Sequence, residues 1–333
     1  MKDYAIEITK LVKKFGDFVA VNKLDIAIER GEIFGLLGPN GSGKTTTINM
    51  LLGLLEPTSG TIHLDGMNVV EDSSEAKGKV GLVTQETVVE GELTATENLR
   101  LFGRLYHLPD DVINKRIGEL LELAGLEKFK DNYAGTFSGG MQRRLSVVKA
   151  LIHNPKILVL DEPTVGLDVQ NRSNLWELLR KINRERGVTI LLTTQYLEEA
   201  DQLCNRISII NNGKVVASGT PSQLKQQVSK HQIIEIAVEK KFLVKTEEII
   251  KSLYKENVRV TGDKVYFPAT GDSLEMLNSL VKKLSKSGIE VVSIGMHQPT
   301  LDDVFLKLTG TSLRDSASNT DNGQGKDVLK MMK

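Results

Sequence analysis

The sequence predicts an α/β protein: a mainly parallel sheet with helices on its faces, an antiparallel β subdomain, a helical insert and a smaller α+β unit at the C-terminal end. Three observations predict it. Short, wholly apolar runs (Ile33–Leu37, Ile157–Leu160, Val188–Leu192) alternate with helical stretches, as strands buried on both faces do. A glycine-rich loop, Gly38-Pro39-Asn40-Gly41-Ser42-Gly43, joins the first run to a helix opening at Lys44. Beyond Val228 a second series of elements follows the order strand, helix, strand, strand, helix, strand.

Taken in order, apolar residues alternate from Tyr4 to Ile28 (Ile6, Ile8; Val19, Val21; Leu24, Ile26, Ile28), which predicts antiparallel strands with one buried face. Gly31-Glu32 turns the chain into the Ile33–Leu37 strand. After the helix from Lys44, Pro57-Thr58-Ser59-Gly60 is a break and Thr61–Leu64 a returning strand; Val80–Thr84 is another, ending at Gln85. From Thr94 to about Gly125 the period is helical, with Leu99, Phe102, Leu105 and Tyr106 on one face and Ile113, Ile117, Leu120 and Leu121 on another. Thr94-Ala95-Thr96-Glu97 resembles a capping box. This helical subdomain, about residues 90–152, splits the sheet-forming part in two. Asn212-Gly213 predicts a hairpin between Ile207–Ile210 and Val215–Val216. A polar helix follows Gly219-Thr220-Pro221-Ser222, and the domain boundary is placed near Val228. The unit at 229–310 is expected as strand (Ile233–Val238), helix (Val244–Tyr254), strands (Val258–Thr261, Lys264–Pro268), helix (Ser273–Ser287) and strand (Glu290–Ile294), an order that is ferredoxin-like. Residues 311–333 read as a disordered tail.

The totals narrow the class. In 333 residues, Lys+Arg and Asp+Glu both number 43, so no basic excess points to a nucleic-acid partner. One cysteine, Cys204, excludes an intrachain disulfide and fits a reducing compartment. The charged start Met1–Glu7 does not read as a signal peptide, and no run approaches the roughly 20 apolar residues of a membrane span. The expectation is a cytoplasmic protein whose membrane role, if any, passes through a partner.

The loop carries the first chemistry. Gly38 to Thr45, with Thr46 following, stands between strand and helix, the context of a phosphate-binding loop. Glycines let backbone N–H groups converge on phosphate oxygens, and the helix start adds its positive end. Lys44 can reach the β- and γ-phosphates, and the Thr45 hydroxyl can ligate Mg²⁺. Asp161 and Glu162 close the strand Ile157–Leu160: the first acid completes the Mg²⁺ shell, and the second orients or deprotonates the attacking water. Ser138-Gly139-Gly140 at another helix start reads by itself as an ordinary helix cap or as a second anion nest, which is superfluous unless two copies face each other.

With these motifs together, residues 4–220 resemble the ATP-binding-cassette (ABC) ATPases, of which Ser138-Gly139-Gly140 is similar to the signature motif. Phe137 and Met141 stand where the family has Leu and Gln. The resemblance implies that Phe15 stacks on adenine, that Gln85 reaches Mg²⁺ and water, and that Asp168, in Gly166-Leu167-Asp168, belongs to a loop crossing a dimer interface. Each has a plain alternative: a core phenylalanine, a polar strand end, and a turn capping the helix from Gln170. One position departs from the pattern. Gln195 follows Thr193-Thr194 where the family has histidine, which donates to the γ-phosphate; glutamine can donate but cannot become cationic. The segment Gln298–Gly310 resembles the tail of exporter ATPases of the daunorubicin-resistance type.

The resemblance therefore implies the ATP-hydrolysing subunit of an exporter of drugs or other hydrophobic compounds. It would use ATP and Mg²⁺, pair with a second ATP-binding subunit, and sit on the cytoplasmic face of the membrane through separate transmembrane permease subunits. Two alternatives stay open from sequence: a soluble ABC ATPase acting on DNA or the ribosome, and a non-hydrolysing regulatory subunit marked by Gln195.

Overall fold

A computed structural model describes residues 4–229, 231–254, 258–269 and 273–309. Two long strands, β1 (Tyr4–Phe15) and β2 (Phe18–Glu29), open the chain as an antiparallel pair. Ile6 and Ile8 point into the core, as their spacing predicts, and the pairing of β1 with β2 shifts register before Ile6 and again past Ile8. Next come β3 (Ile33–Leu37), buried along its whole length, and α1 (Lys44–Leu51). β4 (Ser59–Leu64) pairs with β1, and the two-residue β5 (Met67–Asn68) ends a four-stranded antiparallel sheet ordered β2-β1-β4-β5.

After α2 (Ser73–Gly78) and β6 (Val80–Val83) the chain leaves the sheets for α3 (Ala95–Leu105), α4 (Asp110–Leu123) and α5 (Gly139–Lys149). It returns as β7 (Ile157–Asp161), followed by α6 (Val169–Arg186), β8 (Thr189–Thr194), α7 (Leu197–Leu203), β9 (Arg206–Asn211) and β10 (Lys214–Gly219). These strands and β3 build a six-stranded sheet ordered β10-β9-β3-β8-β7-β6, parallel except for β10. β6 and β7 are neighbours, so the helical excursion leaves and re-enters the sheet at adjacent positions. Leu37 lies opposite Thr194, and Asp161 opposite Thr193. The loops after β3, β7 and β8 therefore emerge side by side at one sheet edge, the usual ligand edge of an open α/β sheet.

Local chemistry explains the ends of the elements. The β9–β10 turn has φ +48° at Asn212 and +72° at Gly213, the pair of left-handed residues that a type I′ hairpin requires. Thr94 and Glu97 form the capping box of α3: the Thr94 hydroxyl accepts from Glu97 N, and the Glu97 carboxylate accepts from Thr94 N at 2.8 Å. The expected apolar face of α3 needs correcting. Leu99 is buried, but Leu105 is 62% and Tyr106 42% exposed. The buried stripe runs instead through Ala95, Asn98, Leu99 and Gly103, and Tyr106 stacks on His153 at 3.8 Å. In β3, Gly35 leaves room for the buried Cys204, since a Cβ at Gly35 would stand 2.8 Å from its sulfur.

The chain divides into two compact units, and the second begins at Ser222, so the division falls at the start of α8 (Pro221–Val228) and not after it. The second unit continues as β11 (Ile233–Val238), α9 (Leu243–Tyr254), β12 (Arg259–Thr261), β13 (Lys264–Pro268), α10 (Ser273–Lys286), β14 (Val291–His297) and α11 (Leu301–Thr309). Its antiparallel sheet runs β12-β13-β11-β14, the strand order of a ferredoxin-like unit. Ile234, Ile236 and Phe267 of the sheet pack with Ile250 of α9 and with Leu280 and Leu284 of α10. The expected disordered tail lies outside the described residues.

Candidate active site

The loop between β3 and α1 is shaped by its glycines. Gly43 has φ +105° as the residue before α1, and a Cβ there would also strike Ala20 O at 2.6 Å. Only glycine fits both demands. Lys44 is buried, at 5% exposure, and donates from Nζ to Gly38 O at 2.9 Å and Pro39 O at 3.3 Å. Burial lowers its pKa below the ordinary lysine value, while Glu162 and Asp161 pull it up. The Ser42 hydroxyl is buried with no hydrogen-bond partner, an orphaned donor inside the loop. The loop is tied to its surroundings, since Gly213 N donates to Ser42 O at 3.0 Å.

Across from the loop, the end of β7 presents two acids in different settings. Thr193 donates from Oγ1 to Asp161 Oδ1 at 2.5 Å, and Thr193 Oγ1 in turn accepts from Glu162 N at 3.1 Å. Glu162 has φ +46°, a left-handed conformation uncommon outside glycine. Burial raises its pKa, Lys44 works against the rise and Asp161 adds to it. Gln195 donates from Nε2 to Glu162 Oε2 at 3.3 Å, so the residue that departs from the family pattern touches the expected base directly.

One cavity of about 420 Å³ gathers much of this. Phe15, Asn40, Gly41, Gly43, Lys44, Thr45, Thr46, Gln85, Glu162 and Gln195 line it, together with Phe18 and Ala20, which belong to no motif in the sequence. Phe18 is 57% exposed and is the cross-strand partner of Phe15, a pairing visible only once the hairpin is formed. Gly38, Pro39, Ser42 and Asp161 are not among the residues that line the cavity. The donors of Thr45, Gln85 and Asp161 are oxygens, which suits Mg²⁺, a cation that takes one or two carboxylates and fills its shell with water and phosphate.

The remaining expected residues are not brought to this cavity. Ser138 caps α5 by accepting from Met141 N at 3.3 Å and is exposed, as is Gly139. Gly140 is buried against α6, where a Cβ would meet Asn171 Oδ1 at 2.0 Å. Phe137, the residue replacing leucine, is buried and packs edge-on against the exposed ring of Phe129 at 6.3 Å. Asp168 caps α6, accepting from Asn171 N at 2.8 Å and Nδ2 at 2.7 Å. Arg143, which the sequence reading gave no role, is 1% exposed and donates to the carbonyls of Thr84 and Gln85, both at 2.7 Å. No spacing rule reveals it, because its partners are far away in sequence.

A glycine-rich loop facing an acidic strand end across the edge of a parallel sheet defines a phosphate-loop nucleotide hydrolase. Comparison with known proteins makes the class specific. The ABC transporter family matches residues 21–165, and the C-terminal domain of DrrA1-3-like ATP-binding proteins matches residues 219–309. The chain is 40% identical to the daunorubicin resistance ATP-binding protein DrrA3 of Streptomyces coeruleorubidus, over 94% of this chain and 98% of that one. It is 39% identical to the Nod factor export ATP-binding protein I of Cupriavidus pinatubonensis, over 93% and 92% of the two chains. Among solved structures, a dimeric ATP-binding cassette in a post-hydrolysis state with ADP and Pi matches with TM-score 0.57 and 30% identity, covering 65% of this chain and 98% of its own. The chain belongs to the ABC transporter ATP-binding proteins, a family whose members hydrolyse ATP. The comparisons support neither alternative, the non-transport ATPase or the non-hydrolysing subunit. Among the described residues no helix is long and apolar enough to cross a membrane.

Proposed function

We propose that this chain is the ATP-hydrolysing subunit of an exporter of drugs or other hydrophobic compounds, paired with a second ATP-binding subunit and driving separate membrane-spanning subunits from their cytoplasmic side. The observation that carries the reading is a division of labour. Lys44, Glu162 and Gln195 share one cavity, while Ser138 and Gly139 are exposed and outside it. A second copy, or a homologue, would bring its Ser138-Gly139-Gly140 and Asp168 to the phosphates that the Lys44 loop holds. The daunorubicin and Nod factor names of the relatives support export.

In this reading Phe15 stacks on the adenine, and the loop amides, Lys44 and Thr46 hold the phosphates. Thr45, Gln85 and Asp161 would hold Mg²⁺, which when bound neutralises phosphate charge. Glu162 takes a proton from water as its oxygen bonds to the γ-phosphorus and ADP leaves. The raised pKa of Glu162 brings it toward the range in which a general base works well. The unit from Ser222 onward acts as an accessory domain that stabilises or regulates the pair.

Steady-state Mg-ATP hydrolysis tests the motor role. Glu162→Gln should lower turnover by about 10²- to 10⁴-fold, the usual worth of a general base. ATP should then convert that variant to a dimer in light scattering. A monomer at saturating ATP would refute the paired reading, and turnover equal to the Glu162→Gln blank, with or without membrane subunits, would refute the motor.

A further inference from the structure

Arg143 is the largest fully buried side chain among the described residues, and its guanidinium is directed at backbone oxygens. Nη1 donates to Thr84 O at 2.7 Å and Nη2 to Gln85 O at 2.7 Å, with Glu162 O 3.4 Å from Nη2. The buried carboxylate of Glu199 acts on it at longer range. The three carbonyls stand just past the ends of β6 and β7, where the sheet ladder has stopped. Two of them belong to residues whose side chains line the cavity. Glu162 is thus held from both sides, its N–H by Thr193 and its carbonyl by Arg143, in a left-handed conformation that a free chain avoids. Arg143 also rides on α5, one turn beyond the start where Ser138, Gly139 and Gly140 stand.

We infer that Arg143 is a positioning residue through which α5 orients Gln85 and Glu162, so that a phosphate met at the Ser138 end of the helix is registered in the chain's own cavity. The transmission rests on the paired reading above; the positioning does not. A planar guanidinium can hold several carbonyls in fixed directions, whereas a lysine ammonium reaches them as a single flexible point.

The test compares full-length wild type with Arg143→Lys, and with Arg143→Gln as a second variant. ATP affinity, melting temperature, turnover and hydrogen exchange of the peptides spanning 84–90 and 160–166 are measured. Expected for Arg143→Lys is an ATP Kd within about twofold of wild type and an unchanged melting temperature, with turnover down about tenfold or more. Exchange in both peptides should be faster. Unchanged exchange overturns the inference, even if wild-type turnover is too low to compare. So does a collapse of melting temperature and ATP affinity in both variants, which would make the residue purely structural. In the Glu162→Gln background, ATP should slow exchange at both peptides, and adding Arg143→Lys should abolish the slowing while the dimer still forms. Slowing that persists in the dimer overturns the transmission. No dimer at all refutes the paired reading instead, and Arg143 is then judged by turnover and nucleotide-free exchange.

Discussion

Glu162 holds a carboxylate where the fold resists one. Burial raises its pKa above the ordinary 4.5, so the folded chain keeps a proton that the unfolded chain has already released. Stability therefore falls as pH climbs from 4.5 through the raised folded value, and stays lower above it. Glu162→Gln removes that penalty. The variant should melt above wild type at alkaline pH, with the gap closing below 4.5; a gap constant with pH would show that ionisation is not its cause. Gln195 touches the same carboxylate, at 3.3 Å. Its amide can donate but cannot carry charge, so Gln195→His should raise turnover, and an unchanged rate would show that glutamine serves equally well. The glycine loop, Lys44 and the acid pair were legible in the sequence because their residue types stand in a short contiguous pattern at a strand end, the loop running into a helix. Arg143 and Thr193 were not, since their contacts join residues at least 19 positions apart.

Elements were readable wherever a local device marked them. The capping box at Thr94, the Asn212-Gly213 turn and the strands Ile33–Leu37, Ile233–Val238 and Lys264–Pro268 all stand where pattern placed them. Thr94→Ala should cost about 1 kcal/mol in denaturant unfolding, the usual worth of an N-cap, and a loss near zero would mean that α3 is held by packing alone. Pattern failed where tertiary contact decided the outcome. Periodicity put Leu105 and Tyr106 inward, but at the end of α3 the helix turns them out, and Tyr106 instead finds the ring of His153. The helix periodicity of 3.6 identifies a stripe without saying how far along the helix its neighbours extend.

At the scale of the whole molecule, the second series of strands and helices made two units legible, with the boundary expected near Val228, whereas the second unit begins at Ser222, at the start of α8. Removing residues 222–333 should leave ATP affinity within about twofold and weaken the ATP-dependent dimer of Glu162→Gln, as loss of a second contact weakens any bivalent association. Dimer affinity unaffected by the truncation would dispose of a stabilising role. The only sulfhydryl of the chain, Cys204, is buried behind Gly35, and burial pushes its pKa well up, so it is shielded from alkylating reagents. The natural chain is thus already a blank background for spectroscopic labelling. A cysteine introduced at an exposed position such as Val169 or Tyr133 could carry a spin label or fluorophore with no prior mutation. The separation of two copies could then be followed in real time through a cycle of nucleotide addition and washout.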